Sequence, residues 1–308
     1  MATLATIDVG TNTTLLLVAR VDAGGRLEPV AERAEITRLG RGIGAGGALG
    51  RSGIEATLAA LRDYAEIAGR EGATLAAVGT EALRRAPNGD DFLRPAAQIL
   101  GVPIEVIDGQ REAALTFRAV VESFPEAQQG DLAVVDIGGG STEVVLARDG
   151  RPTSARSLPL GSVRLTEQHV HHDPIAPDEL AALRAAVASG LAGIPFPPAA
   201  LVVGVAGTVT SLAAMAESMA AYDPARVHGY RLTRAGLDAQ IARLAASRQA
   251  EREGIVGLDP RRADVILAGA VILEGIAAAA GADAVRVSDR GIRWGLMHEL
   301  ADQAGRPA

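Results

Sequence analysis

The chain has 308 residues, of which 48% are hydrophobic, so it carries enough apolar side chains for two domains of ordinary size. Its 30 basic and 37 acidic residues give a net charge of −7, which argues against a nucleic-acid or membrane binder that depends on overall positive charge. The absence of cysteine excludes disulfides, thiolate nucleophiles and cysteine-based metal sites, and the absence of lysine excludes a P-loop lysine, a Schiff base and a lysine general base.

The first predicted elements form a hairpin around a glycine turn. An apolar run at residues 4–7 is followed by DVGTNT at 8–13 and by a second apolar run at 15–18. The next turn signal, Ala23-Gly24-Gly25, predicts a further strand after it, so we expect a small antiparallel meander.

Helical and extended patterns alternate in the rest of the first half. Ser52 and Glu55 form a predicted capping box before a helix with apolar residues at helical spacing, and residues 75–78 are a predicted buried strand. A helix is predicted near Asp91 and a strand at 103–107. The pattern is interrupted at 123–130, where Pro125 and a Gln-Gln-Gly run predict a domain boundary.

The second half repeats the opening hairpin. An apolar run at 132–135 leads into DIGGGST at 136–142 and a second run at 144–146, followed by an Asp149-Gly150 turn. The leading aspartates are 128 residues apart (136 − 8 = 128), which indicates two copies of one domain plan. Further predicted helices lie at 177–191, 208–221, 237–246 and 262–280, and further strands at 201–205 and 284–287. We therefore predict an α/β protein with a central mixed sheet in each half, and domains at 1–126 and 127–308.

Both glycine turns suit a phosphate-binding site that needs no lysine. Glycine permits positive φ and lets backbone N–H groups approach an anion, while Ser and Thr hydroxyls add neutral donors. An ordinary hairpin turn explains one copy alone, whereas two matched copies, each led by Asp, favour phosphate binding. The residues concerned are Asp8, Gly10, Thr11, Asn12, Thr13, Gly138, Gly139, Gly140, Ser141 and Thr142.

Asp136 and Glu143 lie on opposite arms of the second hairpin, so folding about the glycines brings both carboxylates to one end. Two carboxylates beside a phosphate site would repel each other unless a hard cation lies between them, which suits Mg²⁺. A pair of solvated acids at the strand ends is the alternative interpretation. We predict a Mg²⁺ site here, with Mn²⁺ as the other candidate metal.

Three further segments carry groups that suit phosphate chemistry. Glu112 follows Asp108, the expected N-cap of a helix, and a carboxylate one turn into a helix either acts as a general base or only complements the helix dipole. Arg84, in GTEALRR, offers a bidentate phosphate contact. Gly207 and Thr208 open a predicted helix, whose N-terminus attracts anions.

Taken together, these segments resemble the exopolyphosphatase and guanosine pentaphosphate phosphohydrolase (Ppx/GppA) family, in its short two-domain form. The motifs that carry the resemblance are IDVGTNT at residue 7, GTEALRRA at 79, IDGQREAA at 107, VVDIGGGSTEVV at 134, LPLGSVRL at 158, VAGTVTSLAA at 205 and VSDRGIRWGL at 287. The resemblance implies two actin-like (ribonuclease H-like) domains with the active site in the cleft between them. It also implies that a last helix, after about residue 292, packs back on the first domain.

The resemblance further implies an exopolyphosphatase, which hydrolyses the terminal phosphoanhydride of inorganic polyphosphate with Mg²⁺ and releases orthophosphate. Glu112 then corresponds to the carboxylate that activates water, Asp136 and Glu143 to the metal-associated acids, and Arg84 to a phosphate-contacting arginine. The phosphate path would be lined by Asp8, Thr11, Asn12, Gly138, Gly139, Ser141, Gly207 and Thr208.

Three alternatives stay open at this stage. The first keeps the chemistry with another substrate, guanosine pentaphosphate, converted to guanosine tetraphosphate. The second is an actin-like kinase or ATPase, and the third is a non-catalytic sensor of polyphosphate or of the guanosine nucleotides. The family resemblance also implies a homodimer. We expect a cytoplasmic protein without a leader peptide or membrane segment, and without a nucleic-acid partner.

Overall fold

The computed structural model of the chain describes residues 2–22, 24–43, 47–198 and 200–304. The chain divides into two compact units, one made of Met1–Ala119 with Ile292–Ala308 and the other of Val120–Gly291. The boundary expected from the sequence, between residues 126 and 127, lies seven residues after this division. Among the described residues, no helix combines the length and the apolar composition that a membrane span requires.

Unit 1 is an α/β unit around a five-stranded sheet, counted over its described residues. Its elements are β1 (Ala2–Val9), β2 (Thr14–Val21), β3 (Leu27–Glu35), α1 (Arg51–Arg70), β4 (Thr74–Gly79), α2 (Glu81–Arg85), α3 (Asp90–Leu100), β5 (Ile104–Val106), most of α4 (Gly109–Ser123), and α12 (Ile292–Ala304).

The first sheet has the order β3-β2-β1-β4-β5, with an antiparallel meander β1–β3 and parallel pairing from β1 through β4 to β5. Side chains alternate between its faces. Ile7 and its neighbours pack with α1 and α3, whereas Leu4 packs with Trp294 and Met297 of α12. Asp8 lies four residues after Leu4 on β1, so its side chain is on the same face of the sheet as Leu4, the face that carries α12.

Unit 2 contains a six-stranded sheet within the part of it that the structure describes. A 3₁₀ turn, Pro125–Gln128, precedes it, and another is Pro260–Arg262. The remaining elements are β6 (Asp131–Ile137), β7 (Thr142–Arg148), β8 (Arg151–Leu158), α5 (Ser162–His169), α6 (Pro177–Leu191), β9 (Leu201–Val205), α7 (Ala206–Ala216), α8 (Pro224–Val227), β10 (Arg231–Thr233), α9 (Arg234–Ala246), α10 (Gln249–Arg252), α11 (Ile266–Ala279) and β11 (Ala284–Val287).

The second sheet repeats the plan of the first. Its order is β10-β11-β9-β6-β7-β8, so strands β6, β7, β8, β9 and β11 take the places of β1 to β5, and β10 is added at one edge. The meander is again antiparallel, and β9 is parallel to both β6 and β11. The prediction of an α/β protein with one mixed sheet in each half is confirmed.

The helices and strands of the structure agree with the predicted ones in type more closely than in where they begin and end. Helix α6 has the predicted bounds, and the Asp108 carboxylate caps α4 by accepting from the backbone N–H of Arg111 at 2.8 Å. The predicted capping box is wrong, because α1 begins at Arg51 after Gly50 and Ser52 lies inside the helix. In the first meander the predicted turn includes Ala23, which lies outside the described residues.

We expect Gly295→Ala to destabilise unit 1. Helix α12 passes α4 so closely that a Cβ on Gly295 would overlap the carbonyl oxygen of Leu115. Overpacking of this kind costs about 1–3 kcal/mol, to be measured as the free energy of unfolding in urea. Gly69→Ala is the matched control, because Gly69 is an exposed helical glycine whose Cβ would meet no atom within 4 Å. Gly69→Ala should raise the free energy of unfolding by about 0.4–1 kcal/mol. Equal effects of the two substitutions would contradict the close approach of α12 to α4.

Candidate functional site

The candidate residues follow the carboxyl ends of parallel strands. In unit 1, Asp8 lies at the end of β1, Glu81 and Arg84 follow β4, and Glu112 follows β5. In unit 2, the glycine turn follows β6, and Gly207 with Thr208 follows β9. Parallel neighbours bring these ends to one edge of each sheet, which is where open α/β sheets bind ligands.

The β1–β2 turn of unit 1 is closed by its own backbone. The N–H of Gly10 donates to the Thr13 carbonyl at 3.0 Å, and a Cβ on Gly10 would come within 2.8 Å of that oxygen. Asp8, Thr11 and Asn12 are all buried at this turn. The sequence therefore needs glycine at position 10 to bring these polar side chains together.

Asn12 carries an amide donor that suits an anion. Its side chain is only 8% exposed, and its Nδ2 has no hydrogen-bond partner within the part of the chain that the structure describes. A buried donor left unsatisfied costs about 1–3 kcal/mol, so buried donors are normally paired. A phosphate oxygen at this turn would supply the acceptor.

Glu81 is a buried acid beside this turn that sequence reasoning did not single out. Its Oε2 accepts from the Thr11 hydroxyl at 3.4 Å, and its Oε1 pairs with Arg85 at 3.0 Å. The hydroxyl of Thr11 has one hydrogen, which this contact uses. A phosphate contact of Thr11 in this state would therefore use its backbone N–H.

Glu112 lies on the buried face of the amphipathic helix α4. Leu115 and Ala119, which lie one and two turns later on the same face, are fully buried, and Glu112 is 4% exposed. Its Oε1 pairs with Nη1 of Arg84, which also donates to the Ile107 carbonyl at 2.6 Å. The structure thus joins the predicted water-activating carboxylate to the predicted phosphate-contacting arginine.

The glycine turn of unit 2 is clamped by the first turn of α5. The carbonyl of Gly138 accepts from Ser162 N–H at 2.9 Å, and that of Gly139 accepts from Val163 N–H at 2.9 Å. The carbonyl of Gly140 accepts from Nε of Arg164 at 2.7 Å. Because C=O and N–H point oppositely in a trans peptide, the N–H groups of residues 139–141 are directed away from α5. Backbone N–H groups that point to one side of such a turn are donors that an anion can accept from.

Asp136 and Glu143 are direct neighbours across β6 and β7. Residues opposite each other in an antiparallel pair share a face, so the two carboxylates lie side by side, and both are buried. Oε1 of Glu143 accepts from the hydroxyls of Ser141 at 2.9 Å and Ser157 at 2.7 Å. Thr142, by contrast, turns its hydroxyl toward the carbonyl of Leu160 at 2.5 Å.

The N-terminus of α7 adjoins Asp136, because Val205, the last residue of β9, pairs with Asp136 in register. Thr208 is buried in this first turn. A Cβ on Gly207 would overlap the guanidinium of Arg262, so glycine is what lets this arginine reach the helix start. Burial lowers the pKa of Arg262 below its ordinary value, while the charge of Asp259 acts in the opposite direction.

The structure therefore gathers the predicted residues into two sets, one in each unit, and adds Glu81, Ser157 and Arg262. No sequence signal separates Ser157 or Arg262 from the many other serines and arginines. Glu81 lies two residues from a glycine at a strand end, as Asp8 and Asp136 do, and could have been found from this spacing. Among the described residues, no group of three or more His, Cys, Asp or Glu side chains could hold a metal. The predicted pair Asp136 and Glu143 thus stands without a third carboxylate.

The model of the Ppx/GppA phosphatase family matches residues 17–304. The chain belongs to the Ppx/GppA phosphatase family. It is 38% identical over 315 residues to exopolyphosphatase 2 of Mycobacterium tuberculosis, covering 97% of this chain and 98% of that protein. It is also 32% identical to exopolyphosphatase 1 of Mycobacterium bovis, covering 97% of this chain and 88% of the relative.

Solved structures of Ppx/GppA proteins share the fold. The Aquifex aeolicus family member is 32% identical, with a TM-score of 0.84 and 99% of each chain covered. An exopolyphosphatase from Cytophaga hutchinsonii is 25% identical, with a TM-score of 0.90 and 98% of each chain covered. The family resemblance inferred from the sequence motifs is confirmed.

We expect Arg84→Met to destabilise this Ppx/GppA protein by about 3 kcal/mol, because it leaves the Glu112 carboxylate buried without its cation. Arg84→Met combined with Glu112→Leu should recover most of that loss, and a double-mutant cycle on the free energy of unfolding measures the coupling. Arg94→Met is the control, since the Arg94–Asp90 pair is exposed and should contribute less than about 0.5 kcal/mol. Additive effects at Arg84 and Glu112 would contradict the pairing.

Proposed function

We propose that this protein is an exopolyphosphatase, a phosphoanhydride hydrolase that removes the terminal phosphate of inorganic polyphosphate. The observation that carries the proposal is the placement of buried acids. The acidic residues buried in the described part of the chain are Asp8, Glu81, Glu112, Asp136 and Glu143, and all five follow or flank the strand ends of the candidate site. Two relatives named exopolyphosphatase align with nearly the whole chain.

Glu112 is the proposed general base. Water attacks the terminal phosphorus in line with the bridging oxygen, its proton passes to the Glu112 carboxylate, and the P–O bond to the bridging oxygen breaks. Orthophosphate and a chain one phosphate shorter leave. The leaving phosphate has a low pKa, so the reaction needs no strong general acid, which agrees with a sequence that lacks lysine.

The two glycine turns are the proposed phosphate-binding elements. The backbone N–H groups of residues 139–141, the Asn12 amide and the first turn of α7 offer neutral donors. Arg84 adds positive charge next to the base, where a guanidinium can contact phosphate oxygens while it remains near Glu112. Fixed donors of this kind stabilise the charge that develops on phosphate oxygens during transfer.

Asp136 and Glu143 are the proposed Mg²⁺ ligands. The donor set fits a hard cation, because two buried carboxylates lie side by side and Mg²⁺ takes its remaining ligands from water and substrate phosphates. When bound, the metal would neutralise phosphate charge. Mn²⁺ prefers similar oxygen ligands and is the other candidate.

Guanosine pentaphosphate is the second candidate substrate, because the name of the matching family joins the two enzyme types, Ppx and GppA. The same hydrolysis would convert it to guanosine tetraphosphate. Cytoplasmic location and a homodimer stay predictions from the sequence.

We expect Glu112→Gln to lose at least about a hundredfold in kcat, because it removes the proton acceptor and keeps the shape of the side chain. Orthophosphate release is measured with Mg²⁺ from short polyphosphate, long polyphosphate, guanosine pentaphosphate and ATP. Glu122→Gln, an exposed carboxamide substitution on the same helix, is the matched control and should keep full activity.

Release from polyphosphate that is lost in Glu112→Gln and kept in Glu122→Gln would support the proposal. Release from guanosine pentaphosphate alone would favour the second substrate, and ATP hydrolysis or acceptor-dependent transfer would favour a kinase or ATPase. Wild-type protein that binds polyphosphate without releasing phosphate would overturn the enzyme assignment.

A further inference from the structure

We propose that Ser157 is a positioning residue for Glu143: its hydroxyl sets the orientation of the carboxylate that we assign to the divalent cation. This inference rests on the proposed function, because Glu143 is a metal ligand only within that proposal. Ser157 lies on β8, outside the motifs that pointed to the site.

The sheet of unit 2 places Ser157 in a row with both proposed ligands. Ser157 is the register partner of Glu143 across β8 and β7, and Glu143 is the partner of Asp136 across β7 and β6. The next residue in the row is Val205, after which α7 begins. Register partners share a face of the sheet, so the three polar side chains stand next to each other on one face.

Hydrogen bonds from two serine hydroxyls orient the Glu143 carboxylate in this row of side chains. An ionised carboxylate only accepts hydrogen bonds, and each serine hydroxyl has a single hydrogen to donate. Ser157 and Ser141 both donate to Oε1 of Glu143, at 2.7 and 2.9 Å. Two charge-assisted donors on one oxygen fix the rotation of the carboxylate about its last torsion.

The two serines differ in what holds them. Ser141 lies in the glycine turn, which contacts phosphate in the proposed function, whereas Ser157 is held in a strand by its pairing with β7. Ser157 is solvent-exposed and Glu143 is 3% exposed, so the serine is the more accessible of the two groups. A substitution at Ser157 therefore tests the orientation of Glu143 without altering the turn.

Groups that hydrogen-bond to a metal-binding side chain tune its affinity for the metal, and their loss typically costs about 10- to 100-fold. We expect metal affinity to fall about tenfold here, since solvent can partly replace an exposed hydroxyl and Ser141 keeps its own hydrogen bond. The loss should appear in metal binding, because neither serine is proposed to take part in proton transfer.

The test measures Mn²⁺ binding to the full chain without substrate, by electron paramagnetic resonance of the free ion. Ser157→Ala should raise the dissociation constant about tenfold, and Ser157→Thr, which keeps a hydroxyl on a strand-compatible side chain, should restore it to within about threefold of wild type. Ser154→Ala is the matched control on the same strand, because Ser154 pairs with Leu146 and should leave Mn²⁺ affinity unchanged.

Phosphate release provides the second readout. In Ser157→Ala the metal concentration for half-maximal activity should rise about tenfold, while kcat at saturating metal stays within about threefold of wild type. A melting temperature equal to that of Ser154→Ala would show that the fold is intact.

Wild-type Mn²⁺ affinity in Ser157→Ala would overturn the inference, as would a loss that Ser157→Thr does not restore. Absence of Mn²⁺ binding to the wild-type chain would overturn it as well. If the wild type binds Mn²⁺ but releases no phosphate, the proposed function fails while the metal-binding comparison still decides the role of Ser157.

Discussion

The burial of five carboxylates is the constraint on which both sets of candidate residues depend. An ionised carboxylate loses its water on burial, and the effective penalty is several kcal/mol for each ion unless donors replace that water. The chain supplies such donors locally: Arg84 for Glu112, Arg85 and Thr11 for Glu81, and two serines for Glu143. A protein that needed only a stable core would place apolar residues at these positions, so packing alone does not explain these five acids.

The duplicated sheet plan explains how these carboxylates reach comparable places. In each unit a meander turns back through glycine after a strand whose second-last residue is Asp8 or Asp136, and parallel strands then add further loops at the same edge. The two copies differ in the residue that faces the aspartate across the hairpin. Asp136 faces Glu143 across the hairpin, whereas the register partner of Asp8 is Leu15, so paired carboxylates occur in only one copy.

The sequence predicts strands, glycine turns and the internal repeat because alternation, apolar runs and turn residues are local properties. Helix ends are harder: α7 begins at Ala206, two residues before the predicted start, with a φ of 72° that no local pattern favours in alanine. Helix α11 begins at Ile266, after a 3₁₀ turn that includes Arg262, although the apolar pattern suggested a start at 262. Ser157 could not be predicted, since its contact with Glu143 depends on strand register and a bulge between Leu146 and Ala147.

The hydroxyl groups of the two glycine turns donate their hydrogens within the protein, which limits the donors left for a polyanion. Thr11 and Ser141, one from each glycine turn, both donate to carboxylates. In the proposed function, phosphate contacts would then be made by backbone N–H groups, by the Asn12 amide and by arginine. Backbone donors suit a repeating polymer, because each phosphate presents the same oxygens and no base or sugar needs to be read. A few fixed donors at the candidate residues would therefore let a chain with a net charge of −7 bind a polyanion without overall positive charge.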